Sequence, residues 1–222
     1  MHLGGHLHLF VILAVMAVFF TVINSVHAVE FEPYLRGGTI NLDEDGVDEG
    51  HKSLAAVGLK TRTDLDKLTG ELTLEWWTMA EPLDEDVELP RKGYNASGEI
   101  GYNFIYKDTY ITPAAGVSYE YIKRHANESF PGSWEKLSVF SALLGIKVKK
   151  NIFYFKAGII APFLLMTDND DPDAKIGFNA EAGIEYKRLT LGYFYKRIGF
   201  DENSDNPEID FNRYGGVLSY KF

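Results

Sequence analysis

The sequence predicts an all-β fold, a transmembrane antiparallel up-and-down β-barrel of ten strands, with eight as the alternative count. Three observations predict it. Apolar and polar residues alternate with period two over segment after segment, as strands between two different environments require. After residue 28 no clean apolar run reaches the length of a transmembrane helix. The connections between segments alternate between short basic ones and longer acidic ones, as in barrels with short turns on one side and long loops on the other.

Residues 1–28 stand apart from that pattern. Leu9 to Ile23 form an apolar run of signal-peptide length, and Val26-His27-Ala28 places small residues where a signal peptidase reads. Cleavage after Ala28 would leave a mature chain from Val29, with the barrel domain over 29–222. The n-region offers His2, His6 and His8 but neither Lys nor Arg, so an uncleaved anchor is the alternative. The run is short for an anchor, which needs about 20 apolar residues.

Strands are expected near 30–41, 53–62, 69–79, 93–106, 109–123, 135–148, 152–166, 175–187, 189–200 and 209–222. In the third, Trp76-Trp77 sends one indole to each face. Tyr94, Ile100, Tyr102, Phe104 and Tyr106 oppose Asn95, Ser97, Glu99 and Asn103 in the fourth. The fifth sets Val117, Tyr119 and Tyr121 against Thr112, Ser118 and Glu120, with a small-residue stretch at Ala114-Ala115-Gly116. Lys156 and Pro162 interrupt the seventh, the longest apolar candidate. Ile176 to Tyr186 alternates throughout, with Glu181 and Glu185 on its polar face. The last strand interleaves Tyr214, Leu218, Tyr220 and Phe222 with Arg213, Ser219 and Lys221, and bends at Gly215-Gly216. Short connections are read at Arg62 to Lys67, Lys107-Asp108, Lys149-Lys150-Asn151 and Lys187-Arg188. Long acidic ones are read at Asp43 to Glu49, Glu81 to Glu88, His125 to Ser133, Asp168 to Asp173 and Asp201 to Glu208. Aromatics near strand ends (Trp76, Trp77, Tyr94, Tyr106, Tyr119, Tyr121, Tyr186, Tyr220) read as interfacial girdles. A soluble ligand-carrying barrel of lipocalin type alternates too, with the opposite face inward. Glu and Lys in mid-strand among Gly, Ala and Ser favour the membrane form, with a crowded polar interior.

Composition narrows the chemistry. The net charge of -10 repels nucleic-acid phosphates. With no cysteine there is neither a disulfide nor a thiol to use. If the apolar parity faces lipid, the interior receives Arg36, Lys60, Glu71, Glu75, Glu99, Glu120, Lys147, Lys156, Glu181, Glu185, Lys196 and Arg213. Unpaired charges there would cost several kcal/mol each, so they should pair with one another or with trapped water. Either they form a salt-bridged plug, or they line a thin aqueous path whose charges select ions. The acidic runs Asp43-Glu44-Asp45-Gly46 and Asp168 to Asp173 lack the twelve-residue calcium loop with its distal Glu, so no metal site and no cofactor is expected. Only His51 and His125 remain for acid–base work after cleavage. His51 neighbours Asp48 and Glu49 in sequence, which is thin support for catalysis, and a non-enzymatic protein is expected.

The closing Tyr214-Gly-Gly-Val-Leu-Ser-Tyr-Lys-Phe222, together with the alternation and the loop asymmetry, resembles the small bacterial outer-membrane β-barrels of the OmpA/OmpX type. The resemblance is one of class and covers residues 29–222. It implies export, residence among outer-membrane lipid and lipopolysaccharide, and recognition of the last strand (Tyr214, Leu218, Tyr220, Phe222) by the barrel-assembly machinery. It leaves function open; the expectation is a monomer with no nucleic-acid partner, acting structurally or through acidic extracellular loops. A narrow porin-like channel is the alternative, and a hydrolase resembling omptins or lipid A deacylases is the less favoured one. The type members have eight strands, and this chain reads as ten.

Overall fold

Alternation of small, branched and aromatic residues leaves this chain no helical face to bury, and every described element is a strand. The computed structural model describes residues 29–44, 47–79, 90–124, 135–168, 173–201 and 209–222. The expected signal peptide and cleavage site, His125, and most of the longer acidic connections lie outside those residues. Twelve strand segments are present: β1 Val29–Glu44, β2 Val47–Leu65, β3 Leu68–Met79, β4 Pro90–Tyr102, β5 Phe104–Tyr106, β6 Thr109–Arg124, β7 Lys136–Lys150, β8 Phe153–Thr167, β9 Asp173–Ala174, β10 Gly177–Tyr186, β11 Leu189–Asp201 and β12 Ile209–Tyr220. They make ten staves. β5 continues β4 beyond Asn103, and β9 extends the β10 stave at its start, pairing with the end of β11. Each stave pairs antiparallel with its neighbours in sequence, and β1 pairs with β12, so the sheet closes.

The register defines the barrel's dimensions. Stepping across Cα partners from Val29 leads through Thr63, Gly70, Ile100, Ala115, Leu144, Ile159, Phe178, Arg197 and Asn212, and returns to β1 at Asn41. The stagger is therefore twelve residues (41 − 29) over ten strands. At about 3.3 Å per residue and about 4.7 Å between strands, that gives a tilt of about 40° and a backbone radius of about 10 Å. Such an interior is only slightly wider than one that side chains fill.

Two short turns, Lys107-Asp108 and Lys187-Arg188, fall where the sequence puts them, and the other two are tighter than it suggests. Strand pairing runs to Leu65↔Leu68, Tyr106↔Thr109, Lys150↔Phe153 and Tyr186↔Leu189, leaving two residues in each turn. The first turn residue is Asp66, Lys107, Asn151 or Lys187, with φ between 53 and 56°. That left-handed start matches the twist of a two-residue hairpin. The connection expected over Arg62 to Lys67 is thus mostly strand. So is the one expected over Asp43 to Glu49, where pairing continues to Glu44↔Val47. Both ends of the barrel domain lie on the turn side: the Phe222 amide donates to the Phe31 carbonyl at 2.9 Å and the Lys221 amide to that of Arg188 at 2.8 Å.

Every stave turns an exposed apolar side chain outward: Leu35, Val57, Leu74, Ile100, Val117, Leu144, Ile159, Phe178, Leu191 and Leu218. A soluble protein would not leave such a belt in water. A closed barrel, with its backbone groups paired between strands, is one of the two structures that can cross a bilayer. An even strand count with an apolar belt is the build of bacterial outer-membrane barrels. This is a membrane-spanning barrel, and the bacterial outer membrane is its location.

Candidate functional site

The inner face is built from the opposite parity, and it divides into three zones. At mid-height lie the charges. Lys156 on β8 reaches Glu99 at 2.8 Å and Glu71 at 3.3 Å. Arg36 on β1 spans the lumen between Glu75 at 2.6 Å and Glu181 at 2.7 Å, with Lys60 at 3.6 Å from the same Glu181. Higher up, Glu120 accepts from both Lys196 and Arg213. Two phenols complete the set, Tyr34 donating to Glu75 and Tyr154 to Glu181, each at 3.0 Å. Guanidinium and ring stack as well: the Arg36 carbon lies 4.6 Å from the Phe194 centroid, and that of Arg213 lies 5.0 Å from Trp77. The structure thus places Arg36, Lys60, Glu71, Glu75, Glu99, Glu120, Lys156, Glu181, Lys196 and Arg213 on the inner face in three groups of ion pairs.

The two remaining sequence candidates sit lower. Glu185 takes Lys149 at 2.6 Å and Lys221 at 3.0 Å, and Lys221 also reaches Glu30 at 3.1 Å. Lys147 faces the Tyr154 ring at 6.0 Å. These groups border a cavity of about 890 Å³ that opens at the turn end. Above it, the space left in the charged layer is about 90 Å³, with a further void of about 40 Å³ beside Lys147 and Lys156. The mouth cluster of Glu30, Lys149 and Lys221 escapes sequence reading because Lys149 reads as part of a turn.

The third zone is apolar. Ile40, Leu54, Trp77, Ile122, Leu137, Val139, Ile198, Phe200 and Phe211 form one buried cluster across the loop end of the lumen. Their burial is nearly complete: Leu137 and Phe200 are 0% exposed and Trp77 is 1% exposed, against 50% for its outward neighbour Trp76. The sequence does signal this zone, through strand ends where both faces are apolar (Leu137 to Phe140, Ile198 to Phe200). Glycine makes room lower down: a Cβ on Gly58 would fall inside the Tyr34 ring.

Little here suits catalysis. His51 lies exposed on the loop side with its Nδ1 3.4 Å from the Tyr214 hydroxyl. Among the described residues, no three His, Asp or Glu side chains gather closely enough to hold a metal ion. The residues expected to form an assembly signal lie on the outer face of β12 and just beyond it: Leu218, Tyr220 and Phe222 are exposed, and the last two rings meet edge-on at 5.0 Å.

No family model and no curated protein matches this chain. Solved structures of outer-membrane proteins match it at low identity and with low TM-scores. An outer-membrane channel from Pseudomonas putida F1 is 13% identical, with 89% of this chain and 96% of that one covered and a TM-score of 0.42. Neisserial surface protein A is 8% identical, with 87% and 97% covered and a TM-score of 0.40. A major outer membrane protein from Thermus thermophilus is 13% identical, with 88% and 100% covered and a TM-score of 0.33. The likeness is one of barrel class alone.

Proposed function

We propose that the mature chain, residues 29–222, is a non-enzymatic, sealed barrel that supports the outer membrane or meets the environment through its acidic connections. One observation carries this reading: the apolar layer from Ile40 to Phe211 lies across the loop end of the lumen, above charges that already satisfy one another. Water and ions entering from the turn end would meet paired carboxylates first and then an apolar barrier, which resists wetting. A narrow channel is the second reading, favoured by the open cavity at the turn end. The barrel works as a monomer, takes no cofactor, and lies among phospholipid and lipopolysaccharide. Its last strand, with Tyr214, Leu218, Tyr220 and Phe222, serves as the address read by the barrel-assembly machinery. N-terminal sequencing of protein from the outer membrane should begin at Val29; a start at Met1 would replace cleavage with an anchor.

The test is single-channel recording of the refolded mature chain in a planar bilayer. A sealed barrel is silent while remaining heat-modifiable on a gel. Steady, salt-dependent openings that change when Glu99 or Arg213 is neutralised would make it a channel instead.

A further inference from the structure

Outside the lumen, one sector of the wall combines three features at successive heights. The register sets Lys92 on β4 opposite Lys123 on β6, and Lys123 opposite Lys136 on β7. All three have the outward parity, so three ammonium groups stand side by side at the loop-side rim. Like charges directly across a sheet repel one another. No ion pair among the described residues reaches any of them, and the nearby Asp168 carboxylate is taken by the backbone amides of Glu135 and Lys136 at 2.9 and 3.0 Å. Elsewhere on the same rim, Arg197 pairs with Asp210, and Lys175 with Asp201 at 3.2 Å.

One row towards the membrane, Tyr94 stacks on Tyr121 at 5.0 Å, and its hydroxyl meets that of Tyr119 at 3.3 Å. Below the tyrosines the wall is indented. Ala96 and Gly98 leave a groove of about 560 Å³ between Leu74 and Trp76 on one side and Val117 and Phe140 on the other. The groove lies four residues along the strand from the lysine row, or about 13 Å. Cations at headgroup level, a ring shelf at the interface and an apolar slot at acyl depth match the three parts of one amphiphile.

We propose that this sector binds a single membrane lipid with a net-anionic phosphate headgroup, the headgroup on Lys92, Lys123 and Lys136 and an acyl chain in the groove beside Trp76. The lysine row explains the preference for an anionic phosphate over a zwitterionic one, and the small residues on β4 explain why the chain seats there. The site rests on the barrel spanning the membrane and not on whether its lumen is sealed.

The test uses the full mature chain in phosphatidylcholine vesicles containing a minor fraction of either phosphatidic acid or phosphatidylcholine with brominated acyl chains. Bromine quenches a tryptophan it touches, and the Trp76→Phe variant supplies the background from the other indoles. Phosphatidic acid should quench Trp76 at much lower mole fraction than phosphatidylcholine. That preference should fall by about fivefold for each lysine replaced by Gln. Ala96→Leu with Gly98→Leu should weaken quenching by both lipids, and inorganic phosphate should displace neither. Equal quenching by the two lipids, or a preference that survives Lys92→Gln/Lys123→Gln/Lys136→Gln, would overturn the headgroup site. Displacement by inorganic phosphate would overturn the choice of a lipid. Quenching by neither lipid would remove the membrane-facing wall itself, and the site with it.

Discussion

Replacing Glu120 with Gln should strand two cations in the lumen. Glu120 is 3% exposed and Arg213 is 5% exposed, and Lys196 shares the same carboxylate. The amide keeps the side chain's size and removes its charge, so the change isolates electrostatics from packing. The nearest replacement anion, Glu75, is already held by Arg36 at 2.6 Å and by the Tyr34 hydroxyl at 3.0 Å. Breaking a buried pair by removing one partner costs about 3–5 kcal/mol. The Trp77 face over which Arg213 lies offsets part of this, so about 3 kcal/mol is expected. Urea unfolding of the barrel in lipid vesicles reads the loss as a midpoint lowered by about 1 M or more. The twelve sequence candidates comprise six cations (Arg36, Lys60, Lys147, Lys156, Lys196, Arg213) and six carboxylates (Glu71, Glu75, Glu99, Glu120, Glu181, Glu185). Adding Lys196→Met to Glu120→Gln restores that balance and should recover most of the stability. A Glu120→Gln barrel that unfolds within about 0.5 kcal/mol of the parent would refute the plug, because solvated pairs have that worth.

Three further outcomes are expected. Gly58→Ala should cost about 1–3 kcal/mol by pressing on Tyr34, while Gly37→Ala, whose Cβ would meet nothing within 4 Å, should be neutral or slightly stabilising; equal midpoints in urea would refute the packing argument. Trp77→Ala should remove about 3–5 kcal/mol and give a silent barrel brief openings in planar bilayers; a silent variant would show that the remaining apolar side chains seal the loop end without it. Deleting Phe222 should sharply reduce the heat-modifiable barrel recovered from cell envelopes yet leave refolding of purified chain into vesicles nearly intact. Losing both equally would make Phe222 a structural contact, through its amide bond to Phe31, rather than an assembly address.

The stave count and the two faces are legible because period two is a local property, and a closed barrel repeats one environment along every strand. Parity alone places Arg36, Glu120 and Glu181 on the same inner face. It cannot say that Arg36 bridges strands as distant as β3 and β10, since partner choice follows from a stagger of twelve residues around a closed ring. The acidic run at Asp43 to Glu49 misleads for a related reason: polar composition reads as loop, although strand pairing continues to Glu44↔Val47. Parity likewise does not show that Tyr34 and Tyr154 each turn a hydroxyl onto a lumen carboxylate.

The lumen has a direction, and that direction bears on function more than the ladder does. An ion pathway needs its barriers low along the whole axis, because one dry segment stops conduction whatever lines the rest. Here the charges crowd the middle and turn end, where Lys221 and Glu185 border open water, and the loop end is closed by Trp77, Phe200 and their neighbours. Pairing at mid-height already occupies the carboxylates and ammonium groups that a permeant ion would need to replace its hydration shell. In the proposed sealed barrel both zones oppose conduction, by different physics, and they can be removed separately. A barrel with Trp77→Ala alone tests the dry segment with the ladder intact. One with Glu120→Gln and Lys196→Met tests the ladder beneath an intact dry segment. If only the first conducts, the apolar layer is the seal and the charges hold the wall. If only the second conducts, the ladder is the gate, and the channel reading displaces the sealed barrel.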